Sequence, residues 1–324
     1  MPAANSESFQ SRFHRRWGRL RHADVRALAW LLDSPGLLDA DAVAWQGRVA
    51  TLGEVDDAAA AWLAQLDQAP EALEAWLDVQ RFTRLGRYAE KLMAFYFRHR
   101  GVLVAHGTQV RTETGATIGE LDFLIRDAGG RLLHWEFATK LYLLQDEGNA
   151  VHADSFVGPN LADSLGAKMR KIMERQLALA RHPSAQPYLP GSVEASQALV
   201  KGWLFYRHRT PPPGNLGISP PHCRGFWCEA AELEADGQAR YLMLPRLRWL
   251  APARATPEAC MGIQALQEAL RAHFETMHTP VLVAKMGEGD DPENALLEVD
   301  RGFIVPDGWR DQAGERVSRM IAAG

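Results

Sequence analysis

Acidic residues interrupt two apolar segments that a glycine-containing turn, DAGG, separates. Glu120 and Asp122 alternate with apolar residues in the first segment, and Glu136 does the same in the second. Because successive side chains of a β-strand point to opposite faces, each segment predicts a strand with one apolar face and one ionisable face. The apolar face expected of the first strand consists of Leu121, Phe123 and Ile125.

The turn predicts how the two strands pair. A three-residue loop, residues 128–130, would place Asp127 opposite Arg131 and Asp122 directly opposite Glu136. Directly opposed side chains have Cβ atoms about 4.5–5.5 Å apart, and two carboxylates this close repel unless a cation or a shared proton lies between them. Mg²⁺ takes oxygen ligands, commonly one or two carboxylates with waters and substrate phosphates. The pair therefore predicts a Mg²⁺ or Mn²⁺ site, against the alternative of a simply solvated strand face.

Three further residues are candidates for the same site. Glu90 is the only acid of a helix predicted over residues 84–100, and its neighbours are mostly apolar. Lys140 shares a strand face with Glu136, and Lys168 belongs to a basic stripe on the helix that follows the hairpin. A lysine beside a metal site can offset charge that develops during a reaction, although a basic stripe can equally be a solvated helix face.

The elements that must position these residues are predicted from hydrophobic periodicity. Strands are expected over residues 102–110, 118–126, 131–144, 199–207, 224–229, 240–250, 280–285 and 296–305. Helices are expected over residues 9–33, 56–79, 84–100, 160–181 and 259–277, with another at the end of the chain. Asn160 is the expected N-cap of the helix that carries Lys168.

Composition narrows the class of protein. Of 324 residues, 47% are hydrophobic and 23% charged, which is enough for a sizeable core. The net charge of −4 means that any contact with nucleic acid must come from local basic patches. We find no run of about 18 apolar residues that would span a membrane, no secretory signal and only three cysteines. The cytoplasm is therefore the expected location, and the sequence leaves open whether the chain forms a homo-oligomer.

A second, looser pattern involves cysteine and histidine. His222 and Cys223 lie near Cys228 and His208, which is a conceivable zinc site. The C-x4-C spacing is not typical of such sites and no second pair supports it, so the pattern does not predict a zinc site.

The hairpin resembles a known signature. The motif GELDFL at residues 119–124, followed by HWEFATK at 134–140, resembles the PD-(D/E)xK nuclease superfamily. More closely, the chain resembles the bacterial domain-of-unknown-function family 1853, placed in that superfamily, and the stretch GPNLADSLGAK at 158–168 also fits. The family resemblance covers most of the chain, whereas the nuclease signature covers only about residues 84–181.

The resemblance implies a fold, an activity and a partner. The fold is an α/β mixed central sheet flanked by helices, with a restriction-endonuclease-like core in α-β-β-β-α-β order. In this chain it would occupy residues 81–324, with additional C-terminal strands and helices, and follow a helical N-terminal region over residues 1–80. The implied activity is Mg²⁺-dependent phosphodiester cleavage, and the implied partner is nucleic acid, DNA ahead of RNA.

The resemblance also assigns roles to residues. Asp122 and Glu136 would be the metal ligands, and Glu90 would match the acid often found on the first core helix. The motif expects a lysine two residues after the second acid, where this chain has Ala138; Lys140 and Lys168 are the candidate replacements. The motif's proline before the first acid is also missing. These departures leave a second hypothesis open, a catalytically inactive nuclease-fold protein that binds nucleic acid or a protein partner.

Overall fold

The computed structural model describes residues 7–78, 82–145, 151–207, 216–233, 237–289 and 294–323. Its helices are α1 (Phe9–Trp17), α2 (Ala23–Asp33), α3 (Asp57–Gln68), α4 (Glu71–Leu77), α5 (Leu85–His99), α6 (Leu165–Arg170), α7 (Ile263–Met277) and α8 (Trp309–Ala323). Its strands are β1 (Leu103–Arg111), β2 (Thr117–Arg126), β3 (Leu132–Leu144), β4 (Phe156–Val157), β5 (Val193–Arg207), β6 (Cys223–Glu229), β7 (Arg240–Met243), β8 (Arg254–Ala255), β9 (Val281–Gly287) and β10 (Leu296–Val305).

The strands form one mixed sheet, in the order β1-β2-β3-β5-β6-β10-β9-β7. The first three strands pair antiparallel, the middle four pair parallel, and the far edge is antiparallel again. The short strands β4 and β8 pair with β3 and β10. The prediction of an α/β fold with a mixed central sheet is therefore confirmed.

Helices cover both faces of this sheet. On one face, Trp30 of α2 stacks on Trp203 of β5, and Phe97 of α5 packs edge-on against Phe123 of β2. On the other face, the segment that begins with α6 packs its apolar residues, such as Ile172, into a separate core cluster. Of the expected site residues, Asp122 lies on β2, Glu136 and Lys140 lie on β3, Glu90 lies on α5 and Lys168 lies on α6.

The helix that follows the hairpin begins later than predicted. Its N-cap is Ser164, whose side chain accepts a hydrogen bond from the backbone N–H of Ala167, so the expectation of Asn160 was wrong. The helix continues as a π-helical turn, Lys171–Gln176. That turn changes which side chains face the sheet, and it brings Gln176 towards the hairpin.

The strand predicted over residues 240–250 is also shorter than expected. It ends at Met243, and a 3₁₀ turn follows at Arg246–Arg248. Pro245 cannot donate a backbone hydrogen bond, so it does not continue a strand ladder. In the part of the chain that the structure describes, no helix is both long and apolar enough to cross a membrane.

Candidate metal centre

The β2–β3 hairpin has the predicted register. Phe123 pairs with Trp135, and the backbone N–H of Asp127 donates to the carbonyl oxygen of Arg131 at 3.1 Å. The last backbone pair of the two strands is Phe123–Trp135, and Asp122 is the first residue of β2 outside this pairing. At that position a side chain replaces the backbone as hydrogen-bond acceptor, because Oδ2 of Asp122 accepts the backbone N–H of Phe137 at 2.9 Å. Asp122 is thus fixed at the point where the two strands separate.

The separation changes the direction of the side chains on β2. Leu121 packs in a cluster with Val110 and Leu179, whereas Phe123 and Ile125 belong to the core beneath α5. The expectation that Leu121, Phe123 and Ile125 share one face was therefore wrong. Strict alternation fails here because β2 leaves the β3 ladder between these positions.

The carboxyl groups of Asp122 and Glu136 interact directly. Burial, and then the negative charge of Glu136, raise the pKa of Asp122. Burial also raises the pKa of Glu136, while the ammonium of Lys168 and a hydrogen bond from Asp122 oppose this rise. Without a cation, both acids therefore favour the protonated form more than an isolated carboxyl group does, as expected for two acids close together in a low-dielectric site.

Glu136 is anchored below the surface. Its side chain is only 1% exposed. Nε2 of His134 lies 3.0 Å from its Oε1, and the amide of Gln176 donates to its Oε2. Because burial lowers the pKa of His134 to about 4, the imidazole is neutral at pH 7 and serves as a hydrogen-bond donor to the carboxylate.

Asp122 also belongs to a cluster with Glu120 of β2 and Glu90 of α5. One carboxylate oxygen from each of Glu90, Glu120 and Asp122 lies within 4.8 Å of the others. Glu90 also interacts with His106, whose Nε2 is 2.9 Å from Glu90 Oε1. All of these donors are oxygen atoms, the type that Mg²⁺ and Mn²⁺ prefer, and their mutual repulsion is what a divalent cation would relieve. The donor set therefore fits the expected metal.

Asp122 and Glu90 line a cavity of about 490 Å³. The cavity lies along the edge of β3 between its pairing with β2, which ends at Trp135, and its pairing with β4, which begins at Leu143. Three arginines also line the cavity: Arg84, Arg87 and Arg246. The acids are thus accompanied by a basic rim.

Both candidate lysines line this cavity, but their partners differ. Nζ of Lys140 lies 2.5 Å from Oδ2 of Asp163, so its charge is paired. Nζ of Lys168 donates to the neutral Oε1 of Gln176 at 3.1 Å, and it interacts electrostatically with Asp122 and Glu136. Burial lowers the pKa of Lys168. Lys168 is therefore the lysine whose charge acts on the acid pair.

Comparison with known families decides where the chain belongs. A family described as "Domain of unknown function (DUF1853)" matches residues 26–305, which is most of the chain. The chain belongs to the DUF1853 family. No curated protein and no solved structure matches it. Every residue of the acid cluster and both lysines of this DUF1853 protein lie within the matched range.

Sequence reasoning had not proposed Glu120 as a site residue of this DUF1853 protein. Its signal was present, since Glu120 and Asp122 are two residues apart on one strand and were expected to share a face. Gln176 was also missed, because only the π-helical turn brings it to Glu136.

Among the residues that the structure describes, the loose cysteine and histidine pattern does not come together as a zinc site. Cys223 and Cys228 both lie on β6, five residues apart, so their side chains point to opposite faces of the sheet. His222 is held by the hydroxyl of Tyr206 at 2.7 Å and by the carbonyl oxygen of Ser219. His208 lies outside the described residues.

Proposed function

We propose that this protein is a divalent-metal-dependent nuclease of the PD-(D/E)xK superfamily, which cleaves phosphodiester bonds in nucleic acid, with DNA as the first substrate to test and RNA as the second. One observation carries the proposal. Asp122 interacts with a buried acid, Glu136, and forms a cluster with Glu90 and Glu120 beside a cavity that Lys168 also lines.

The order of the elements supports the same assignment. Helix α5 is followed by the strands β1, β2 and β3, then, after the two-residue strand β4, by α6 and by β5. Apart from β4, this is compatible with the α-β-β-β-α-β order that the sequence resemblance implies. The acids lie on the first helix, the second strand and the third strand of this series. These are the positions at which the sequence resemblance expects them.

The residues of the chain would bind Mg²⁺ or Mn²⁺ through Asp122 as the common ligand. Glu90 and Glu120, which cluster with Asp122, would contribute further carboxylates, and Glu136 would contribute one from the buried side. A bound divalent ion supplies Lewis-acid chemistry, since it polarises a phosphate oxygen and lowers the pKa of a coordinated water.

The lysines and arginines would bind the phosphates of the substrate and offset their negative charge. Lys168 offers a positive charge next to the acids, where it can offset charge that develops on the scissile phosphate; Lys140 is the second candidate, held by Asp163. The guanidinium groups of Arg84, Arg87 and Arg246 can bind flanking phosphates. This local rim supplies the basic surface that a chain with a net charge of −4 otherwise lacks.

A cleavage assay with matched variants tests the proposal. Plasmid, single-stranded DNA and RNA are incubated with wild type, Asp122→Asn and Glu136→Gln in Mg²⁺, in Mn²⁺ and in EDTA. Glu113→Gln is the control, because Glu113 is an exposed acid at the β1–β2 turn. We expect cleavage by wild type and the control only, and only with metal.

Two results would overturn the proposal. Cleavage that persists in Asp122→Asn would come from a contaminant or from another site. Binding of nucleic acid without cleavage under any metal condition would favour the alternative, an inactive nuclease-fold binding protein, for which the missing lysine at Ala138 is the sequence argument.

A further inference from the structure

A second cavity, of about 630 Å³, lies against β5 and shares no lining residue with the acid cavity. Helix α1, the end of α2 and residues 50–54 form its walls. Lys201 of β5 contributes to its lining and pairs across the ladder with Thr139, which lines the acid cavity. The two cavities are thus lined by paired residues of the neighbouring strands β3 and β5.

Deep in this second cavity lie polar groups that lack some of the hydrogen-bond partners they could bind. Lys201 is only 3% exposed, and Nζ donates to the carbonyl oxygen of Ser34. An ammonium has three donors, and among the described residues the carbonyl oxygen of Ser34 is the only acceptor of the Lys201 ammonium. The hydroxyl of Ser34, which is 4% exposed, and Nε of Arg12 are buried atoms without a hydrogen-bond partner. Buried donors without partners are costly, so this group is arranged for an acceptor that a ligand would bring.

The charges of the side chains that line this cavity favour the binding of an anion. Four cations line it, namely Arg12, Arg15, Arg16 and Lys201, against two acids, Asp33 and Glu54. Arg16 is paired with Asp33 at 2.7 Å, and Arg15 with Glu7 at 2.5 Å. Arg12 and Lys201 have no carboxylate partner within salt-bridge distance among the described residues.

We propose that this cavity binds a terminal phosphoryl group, carried by a free nucleotide or by the phosphorylated end of a nucleic-acid strand. A phosphoryl group presents three acceptor oxygens, which match the ammonium of Lys201, the hydroxyl of Ser34 and the guanidinium of Arg12. A phosphodiester within a continuous strand is flanked on both sides and stays near the surface, whereas a terminal phosphate can reach a lysine as deep as Lys201. The volume leaves room for a nucleoside attached to that phosphate.

The lowered pKa of Lys201 agrees with a ligand that carries negative charge. Burial lowers the pKa of Lys201 to about 8. A bound phosphate would stabilise the charged ammonium and offset the cost of its burial. This proposal does not depend on nuclease activity, since it uses none of the acids of the metal centre.

Calorimetric titration of the full chain in EDTA tests the proposal, because the chelator removes any metal that could bind phosphate at the acid cavity. The probes are inorganic phosphate, pyrophosphate, adenosine diphosphate, and one short oligonucleotide with either a 5′-phosphate or a 5′-hydroxyl. The variants are Lys201→Met, Ser34→Ala and Arg12→Met, with Lys91→Met on α5 as the lysine control. Lys201→Met keeps the length of the side chain and is checked for folding by circular dichroism.

We expect wild type and Lys91→Met to bind at least one terminal phosphate, and Lys201→Met to bind it roughly tenfold or more weakly. Ser34→Ala and Arg12→Met should weaken binding to a smaller extent. Preference for adenosine diphosphate identifies a free nucleotide as the source, and preference for the 5′-phosphorylated over the 5′-hydroxyl strand identifies a strand end. Equal affinity in wild type and Lys201→Met, or no binding of any phosphate probe to wild type, would overturn the proposal.

Discussion

The carboxyl groups of Asp122 and Glu136 lie on adjacent strands, one position beyond the Phe123–Trp135 pair, and the negative charge of Glu136 raises the pKa of Asp122. Both groups are largely buried, and both would carry negative charge at pH 7 in water. Two buried acids this close destabilise the folded state unless a proton or a cation offsets their repulsion. We therefore interpret the pair as a functional feature, and the following predictions test that interpretation.

The two lysines of the acid cavity should differ in their contribution to cleavage. Because the charge of Lys140 is already paired with Asp163, Lys140→Met should lower the single-turnover rate less than tenfold, roughly. Lys168→Met removes the cation that acts on the acids and should lower the rate at least about 100-fold. Affinity for Mg²⁺ should not weaken in Lys168→Met, since the variant loses a repelling charge. The reverse order of the two rates would contradict the assignment of Lys168.

Glu120 should contribute to metal affinity even though the nuclease motif does not include it. Its carboxylate meets those of Glu90 and Asp122, and affinity depends on the number of charged ligands. Glu120→Gln should therefore weaken Mn²⁺ binding by roughly tenfold, measured by calorimetry. Glu113→Gln, at the exposed end of the same β1–β2 connection, is the matched control. If both variants bind like wild type, Glu120 is not a ligand.

The raised pKa of Asp122 should be visible in protein stability without metal. Between about pH 4, where an unfolded aspartate loses its proton, and the raised pKa of the folded state, the native protein binds more protons than the unfolded chain. The unfolding free energy of wild type should therefore fall with rising pH relative to that of Asp122→Asn, by up to about 1.4 kcal/mol per pH unit. Urea unfolding in EDTA at pH 4, 5, 6 and 7 measures the difference.

Mg²⁺ supplies the control for that experiment. A cation that binds the deprotonated acids should remove most of the difference between wild type and Asp122→Asn at pH 7. A difference that does not change with pH would mean that Asp122 titrates normally, and the description of the buried pair would be wrong.

Lys201 should have the opposite dependence on pH. Its folded pKa is lowered to about 8 by burial, against an ordinary value of 10.5, while the nearby Cys223 and Asp33 act to raise it. As pH rises from 8 to 10.5, the unfolded chain retains a proton that the native protein has lost, so native stability increases. Lys201→Met should be more stable than wild type at pH 7, and this advantage should shrink by up to about 3 kcal/mol by pH 10. Urea unfolding of both proteins checks this, and a constant advantage would contradict it.

Local patterns predicted the centre of the site. The turn residues gave the correct register of the β2–β3 hairpin, because a hairpin's pairing is determined by a few neighbouring residues. Helix α5 was predicted to within a residue at each end from its apolar periodicity, and its only acid, Glu90, does reach the cavity.

Features that depend on distant segments could not be predicted in the same way. The end of the β2–β3 ladder at Phe123 depends on how β3 pairs with β5 and β4, which are far along the chain. The π-helical turn that brings Gln176 to Glu136 has no periodic signal, and the parallel pairing of β10 with β6 joins segments about 75 residues apart. The cavity around Lys201 arises only where α1 folds over β5.

Calorimetric titration of Mn²⁺ and Mg²⁺ into the metal-free protein tests the central claim most directly, with Asp122→Asn and Glu113→Gln beside wild type. We predict a saturable site in wild type and in Glu113→Gln, with protons released on binding because burial raises the pKa of both acids. Asp122→Asn should show no such site while remaining folded. Absence of binding in wild type, or equal binding in Asp122→Asn, would contradict the claim that these acids form a metal centre.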